Sequence, residues 1–172
     1  MTRVVVTRGD ITTVAADVIV NAANAGLLGG GGVDGAIHRA GGPAILDACR
    51  AIIAGQGHCD PGAAVITTAG DLPAGHVIHT VGPIWTEERA DHHDSTLSSC
   101  YVESLALAES HRARTVAFPN ISTGVYGFPK ARAASVATRA VGSYVAAGTA
   151  LDEIIFVCFD DENEQLYRRL LA

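Results

Sequence analysis

Val18-Ile19-Val20-Asn21-Ala22-Ala23-Asn24 leads, four residues on, into Gly29-Gly30-Gly31-Gly32 and then Val33-Asp34. A β-branched run that halts at asparagine, then a polar loop, then a tetraglycine before a helical pattern, reads as strand, loop and helix. The apolar residues are continuous rather than alternating, which suits a strand covered on both faces in a mostly parallel sheet. Ile154-Ile155-Phe156-Val157 reads the same way. Working outward, strands are expected at Arg3–Thr7, Asp17–Val20, Ala64–Thr68, Val77–Thr80, Thr115–Phe118 and Ile154–Phe159. Helices are expected between them. Val33–Arg39 ends at Gly41-Gly42, and Pro43–Ala54 opens with proline in its first turn. Ser95–His111 follows Asp94 as N-cap, Lys130–Ala147 follows Pro129, and Asp161–Leu171 opens on a run of acids. A short helix is expected around Thr12–Ala15. Strands alternating with helices give an α/β fold, a three-layer α/β/α sandwich with right-handed crossovers.

The 172 residues contain no repeat, low-complexity tract or linker, so residues 1–172 are expected to form a single domain. Hydrophobic residues make up 48% and charged residues 17%, with mean hydropathy +0.26, which excludes a disordered tail. No stretch approaches the roughly 18 to 20 apolar residues of a membrane span, so no membrane partner is expected. Met1–Arg8 carries no signal-peptide core, and Cys49, Cys59, Cys100 and Cys158 are scattered without a CxxC pair. Reduced thiols in a cytoplasmic location are expected, with no disulfide framework and no metal site. The net charge of −6 argues against nucleic acid held on a basic surface. An anionic small ligand remains compatible, provided backbone N–H groups and helix N-termini hold it.

In such a sheet, ligands sit outside the carboxyl ends of the parallel strands. The loops that follow the strands therefore carry the candidate site. Gly29–Gly32 before the helix at Val33 lets the backbone approach a ligand and turn successive N–H groups towards it. It is neither a Walker loop nor a Rossmann fingerprint, since no Gly-Lys-Ser/Thr follows and the acidic partner is misplaced. A second loop holds Ser122, Thr123, Gly124, Val125, Tyr126 and Gly127, and suits the other side of a diphosphate. Neither loop contains a charged residue between Asn21 and Val33 or between Phe118 and Pro129. Ser122 has no GxSxG elbow, which argues against a nucleophile. Asn21 and Asn24 can donate and accept at once and so suit ribose hydroxyls, or else they simply form the turn. Asp34 is a carboxylate favoured by the helix dipole, or one able to orient or deprotonate water. Asp10 either caps the next short helix or accepts from an exocyclic amine. Phe159 is either a core aromatic or an apolar wall for a base, and Tyr126 is either an ordinary loop tyrosine or one that stacks on a sugar. Asp91-His92-His93-Asp94 reads as a solvated loop with an N-cap, and the lone His38, His58, His76, His79 and His111 have no ligand spacing.

These strings, in order, resemble a macrodomain, in particular the MacroD-type ADP-ribose hydrolases. The resemblance rests on Gly9-Asp10-Ile11-Thr12, Val20–Asn24, Gly29–Gly41, His79-Thr80-Val81-Gly82-Pro83, Ile121–Pro129 and Cys158-Phe159-Asp160, and so spans nearly the whole chain. It implies a mixed, mostly parallel six-stranded sheet with ADP-ribose on its crest. Asp10 is then expected to read the adenine amine beside the Ile11 backbone, with Phe159 flanking the base. Gly31, Gly32 and Val33 on one side and Ser122–Tyr126 on the other would embrace the diphosphate and distal ribose. Asn24 would hold the distal ribose, and Asp34 would sit at the scissile bond as base or positioning group. Two departures from the family pattern stand out. Asn120 replaces a small residue and is expected to narrow the phosphate site or add a donor. Ala25-Gly26 replaces serines and is expected to loosen its turn.

The expected activity is removal of mono-ADP-ribose from acidic side chains of proteins and deacetylation of O-acetyl-ADP-ribose. Catalysis is expected by water attack, without metal or cofactor, through Asn24 and Asp34. The expected partners are ADP-ribose, O-acetyl-ADP-ribose and mono-ADP-ribosylated proteins. The competing readings are a non-catalytic ADP-ribose reader and a generic phosphate-cradle phosphoesterase or nucleic-acid binder.

Overall fold

A computed structural model describes all of residues 1–172. Six strands form one sheet: β1 (Arg3–Arg8), β2 (Val18–Ala23), β3 (Ala64–Thr68), β4 (His76–Val81), β5 (Thr115–Phe118) and β6 (Glu153–Cys158). Their spatial order is β1-β6-β5-β2-β4-β3, with every neighbouring pair parallel except the edge pair β3–β4. The helices are α1 (Gly32–Gly41), α2 (Pro43–Gln56), α3 (Ala90–Ser110), α4 (Lys130–Ala146) and α5 (Asp161–Leu171). None is long and apolar enough to cross a membrane.

The continuous apolar runs have the anticipated cause. In β2, Val18 and Val20 pack with Leu97, Tyr101 and Val136 of α3 and α4, while Ile19 packs with Ile37 and Ile45 of α1 and α2. In β6, Ile154 and Phe156 join the first group and Val157 the second. Each strand thus buries both faces, and the sheet is the middle layer of the sandwich. Full burial of one such side chain contributes about 1.5–3 kcal/mol. On α4 the buried positions are mostly alanine, and the helix packs closely between α3 and α5.

Local chemistry sets the helix ends. Asp160 caps α5 by accepting from Asn163 N at 2.8 Å, and Asp161, Glu162 and Glu164 follow in the first turn. Three expectations are corrected. The short helix after β1 is a 3₁₀ turn at Ile11–Thr13, because Asp10 caps it through Thr12 N. Strand β2 continues past Val20 to Ala23, because Asn21 finds buried hydrogen-bond partners in Asp34 and His79. Asp91–Asp94 is neither a loop nor a cap: α3 starts at Ala90, and both Nε and Nη2 of Arg132 on α4 donate to Asp94. The Asp94 carboxylate is used between helices rather than at a helix end. His93 tucks against Trp85, with ring centroids 5.8 Å apart.

Candidate active site

The parallel strands end along one edge of the sheet, and the segments that follow β1, β2, β4, β5 and β6 line that edge together. Asn24 lies just past β2. Its Nδ2 donates to Gly29 O at 2.9 Å, drawing the glycine run back over the strand end. Gly29 and Gly32 adopt positive φ, where a Cβ is disfavoured. At Ala25-Gly26 the turn is tethered by Cys59 N, which donates to Ala25 O at 3.0 Å.

Helix α1 opens at Gly31, with no side chain capping it. The N–H groups of residues 29–34 donate to no protein acceptor, and the first paired amide is Gly35 N, on Gly31 O. Across the cleft, the N–H groups of residues 122–126 are also without a protein acceptor. That loop is shaped by other bonds, from Phe128 N to Ser122 O, Gly127 N to Gly124 O and Trp85 N to Tyr126 O. Ser122 sits at φ 66°, and its buried Oγ has no partner. Two rows of oriented main-chain donors, one on an uncapped helix N-terminus, form a cradle for an anion. No lysine or arginine is needed for it.

Asp34, in the first turn of α1, is buried beneath this cradle. Its Oδ1 accepts from Asn21 Nδ2 at 2.7 Å. Its Oδ2 faces Gly30, where a Cβ would come within 3.3 Å of Oδ2 and 3.6 Å of Asn24 Nδ2. The Gly30 backbone thus runs between the two residues expected to be catalytic. His38, one turn on, holds Nε2 at 3.4 Å from Asp34 Oδ1, and that nitrogen is buried without a hydrogen-bond partner.

Asn21 corrects its expected role as a ribose ligand. It belongs to β2 and is fully buried. Its Nδ2 donates both to Asp34 Oδ1 and to His79 Nδ1, the latter at 3.0 Å. A carboxylate only accepts, so the amide orientation is fixed and His79 Nδ1 must accept as well. The His79 proton is then on Nε2, which donates to Thr67 Oγ1 at 2.8 Å, and Thr67 Oγ1 donates to Thr68 O at 2.9 Å. Burial first, and the nearby His38 second, lower the His79 pKa to about 3, so the ring is neutral. Cys49 Sγ lies 3.8 Å from His79 Nε2. Burial, with Asp34 adding to it, pushes the Cys49 thiol up to about 11.

The remaining positions divide. Asp10 lies at the crest and is exposed, but its Oδ1 is occupied by Thr12 N and Thr12 Oγ1. Ile11 buries its side chain in the core, while its N–H donates to no protein acceptor. Phe159 is 82% exposed, which rules out the core-aromatic reading, and Val125 is exposed beside half-buried Tyr126. Asn120 does not narrow the cradle: its Nδ2 points to Cys158 Sγ at 3.7 Å, between β5 and β6. Sequence reasoning missed His38, Cys49, Thr67 and His79. The i, i+4 spacing of Asp34 and His38 was a usable signal, whereas the approach of α2 and β4 was not written locally.

The family model for the Macro domain matches residues 20–137. An "O-acetyl-ADP-ribose deacetylase" of Klebsiella pneumoniae (strain 342) is 58% identical over 165 residues, covering 95% of this chain and 93% of its own. Among solved structures, an Oceanobacillus iheyensis macrodomain with ADP superposes with TM-score 0.92 at 38% identity, covering 96% of this chain and 88% of that one. A Trypanosoma brucei macrodomain in complex with ADP-ribose gives TM-score 0.89 at 38% identity, covering 98% and 69%.

Proposed function

The chain belongs to the Macro domain family, and from that premise we infer that it is an ADP-ribose-binding hydrolase that deacetylates O-acetyl-ADP-ribose. We propose further that it releases mono-ADP-ribose from acidic side chains of proteins, because the same ester chemistry links the sugar to a carboxyl group. The observation that carries this reading is the Asn24–Gly30–Asp34 arrangement set between two rows of unpaired main-chain amides.

In this reading the amides of Gly31, Gly32 and Val33, and those of Ser122 to Tyr126, neutralise the diphosphate. Dipoles that are already oriented need no reorganisation when the anion arrives. Asn24 spends one N–H on Gly29 O, which leaves its Oδ1 and second N–H for hydroxyls of the distal ribose. Asp34 is held through Oδ1 by Asn21, and its Oδ2 orients the attacking water. Water adds across the ester, one product taking the hydroxyl and the other the proton, and ADP-ribose and a carboxylic acid leave. Asp10 and the Ile11 N–H serve the adenine edge, Phe159 its face, and Tyr126 with Val125 the sugar side. All four cysteines are free and buried, which fits work in a reducing, cytoplasmic compartment.

The test is a time course of acetate release from O-acetyl-ADP-ribose, beside ADP-ribose release from a glutamate-modified and a serine-modified protein. Wild type is expected to act on the acetyl ester and the glutamate-linked substrate. Asp34→Ala and Asn24→Ala are each expected to lose about 100-fold or more in turnover while remaining folded. Full turnover in both folded variants would remove the mechanism.

A further inference from the structure

Behind Asp34 the fold brings together three donors that the hydrolytic reading does not require as ligands. They come from separate elements: His38 on α1, Cys49 on α2 and His79 on β4. One ligand atom of each lies within 4.8 Å of the other two. Cys49 Sγ is 3.8 Å from His79 Nε2, and His38 Nε2 is buried 3.4 Å from Asp34 Oδ1 with no hydrogen-bond partner. Tetrahedral Zn²⁺, with N at 2.0–2.1 Å and S at about 2.3 Å, sets its ligand atoms about 3.4–3.6 Å apart. The widest edge of the cluster therefore needs to close by roughly 1 Å, within reach of side-chain torsions. An open cavity of about 420 Å³, lined by Gly29, Gly30, His38, Pro43 and Leu46, gives an ion a path to His38.

We propose that His38, Cys49 and His79 form a binding site for a thiophilic divalent cation of the Zn²⁺ type, and that its occupancy switches off the hydrolytic centre. The binding half stands on this cluster alone, while the switching half rests on the reading of Asp34 given above. On binding, the Cys49 S–H bond breaks, its proton goes to solvent and a metal–sulfur bond forms. Nothing is oxidised or reduced. Zn²⁺ brings two positive charges; one thiolate and the adjacent Asp34 carboxylate offset them.

The switch follows from hydrogen-bond roles. His79 Nε2 now donates to Thr67 Oγ1, and a metal there requires the ring proton on Nδ1 instead. Nδ1–H would then meet Asn21 Nδ2, a donor against a donor at 3.0 Å. A half-turn of the Asn21 amide removes the conflict by presenting Oδ1, which has no partner at present. Metal-bound histidines usually donate their other N–H to such an acceptor. The same half-turn takes the donor away from Asp34 Oδ1 and sets an amide oxygen against the carboxylate. Filling the metal site and holding Asp34 in place are mutually exclusive. The ion also draws His38 from its position beside Asp34.

The test uses the full chain freed of metal by chelation and desalting. Titration with Co²⁺ is expected to give the near-ultraviolet thiolate charge-transfer band and visible bands of a tetrahedral site, which Zn²⁺ then displaces. Cys49→Ser and His38→Gln should each lose the charge-transfer or tetrahedral signature, and Cys59→Ser should keep it. Two variants on different helices guard against one failing to fold. In the ester assay, near-stoichiometric Zn²⁺ should lower wild-type turnover at least about tenfold, with recovery on chelation, and Cys49→Ser should keep its turnover in Zn²⁺. Absence of any Co²⁺–thiolate band, or the same band in Cys49→Ser, overturns the site. A band together with undiminished turnover in Zn²⁺ overturns the switch. Absence of hydrolysis in the metal-free wild type overturns the proposed function instead, and leaves the Co²⁺ result to decide the site.

Discussion

Replacing Gly35 by alanine separates a structural glycine from a catalytic one. In an ordinary helix, alanine is favoured over glycine by about 1 kcal/mol, so Gly35→Ala should stabilise α1 if nothing opposes it. Here the new Cβ would lie 2.4 Å from Gly30 O and 3.0 Å from Arg39 Nη1. The arginine can swing away, but the carbonyl cannot. A carbon–oxygen contact needs about 3.3 Å, so Gly30 must retreat by roughly 0.9 Å. Overpacking of this kind costs typically 1–3 kcal/mol, which cancels the helix gain and leaves a net loss of about 0–2 kcal/mol. The larger effect is on function, because Gly30 runs between Asn24 Nδ2 and Asp34 Oδ2 and belongs to one of the rows of free amides. A misplacement near 1 Å at a reacting centre costs up to about 100-fold. We expect Gly35→Ala to fold, to unfold at equal or lower urea concentration than wild type, and to lose about ten- to hundredfold in kcat/KM on O-acetyl-ADP-ribose. ADP-ribose affinity by calorimetry should fall with it. Gly142→Ala is the control: it is exposed in α4, with nothing within 4 Å of the added Cβ, and should gain about 0.5–1 kcal/mol with unchanged kinetics. A Gly35→Ala protein as stabilised and as active as the control would refute the reasoning.

Two further outcomes follow from burial and exposure. The folded pKa of His79 is about 3 against 6.5 for a free ring, so as pH falls the unfolded chain takes the proton first. Its contribution is complete above about pH 6.5 and is lost on acidification, with a ceiling of about 5 kcal/mol and about 2 kcal/mol between pH 6.5 and 5. Urea midpoints measured from pH 7.5 to 5 should fall in wild type and fall less in His79→Gln; a flat wild-type profile contradicts the assignment. Phe159 is 82% exposed, so Phe159→Ala should change stability by no more than about 0.5 kcal/mol. Loss of a ring stacked on adenine should cost about 1–3 kcal/mol of ADP-ribose affinity by calorimetry, and unchanged affinity would remove Phe159 from the site.

The layers of the fold were readable because both-face burial leaves continuous apolar runs, as in Val18–Val20 and Ile154–Val157. The two glycine-bearing loops were readable because main-chain recognition of an anion demands small, uncharged residues, and these leave a local mark. Asp91–Asp94 misled because capping is a local rule, whereas Asp94 answers to Arg132 on another helix. Asn120 misled similarly, since its partner Cys158 comes from the next strand in space.

The most informative disagreement is the end of β2. Asparagine is depleted in strands, and the expected strand ends at Val20. The strand runs on because Asn21 finds buried partners on either side, Asp34 from the following helix and His79 from the neighbouring strand. Registry makes this possible: Asn21 pairs with His79 across β2 and β4 as part of the same parallel ladder that holds Val20 opposite Ile78. An isolated amide here would cost about 1–3 kcal/mol in desolvation, so the position tolerates asparagine only because the network exists. The network in turn holds the Asp34 carboxylate from below, through Oδ1. The propensity rule thus fails at the residue that joins the packed sheet to the reacting carboxylate, and the hydrogen-bond roles that hold Asp34 still are the ones a metal at His79 would have to reverse.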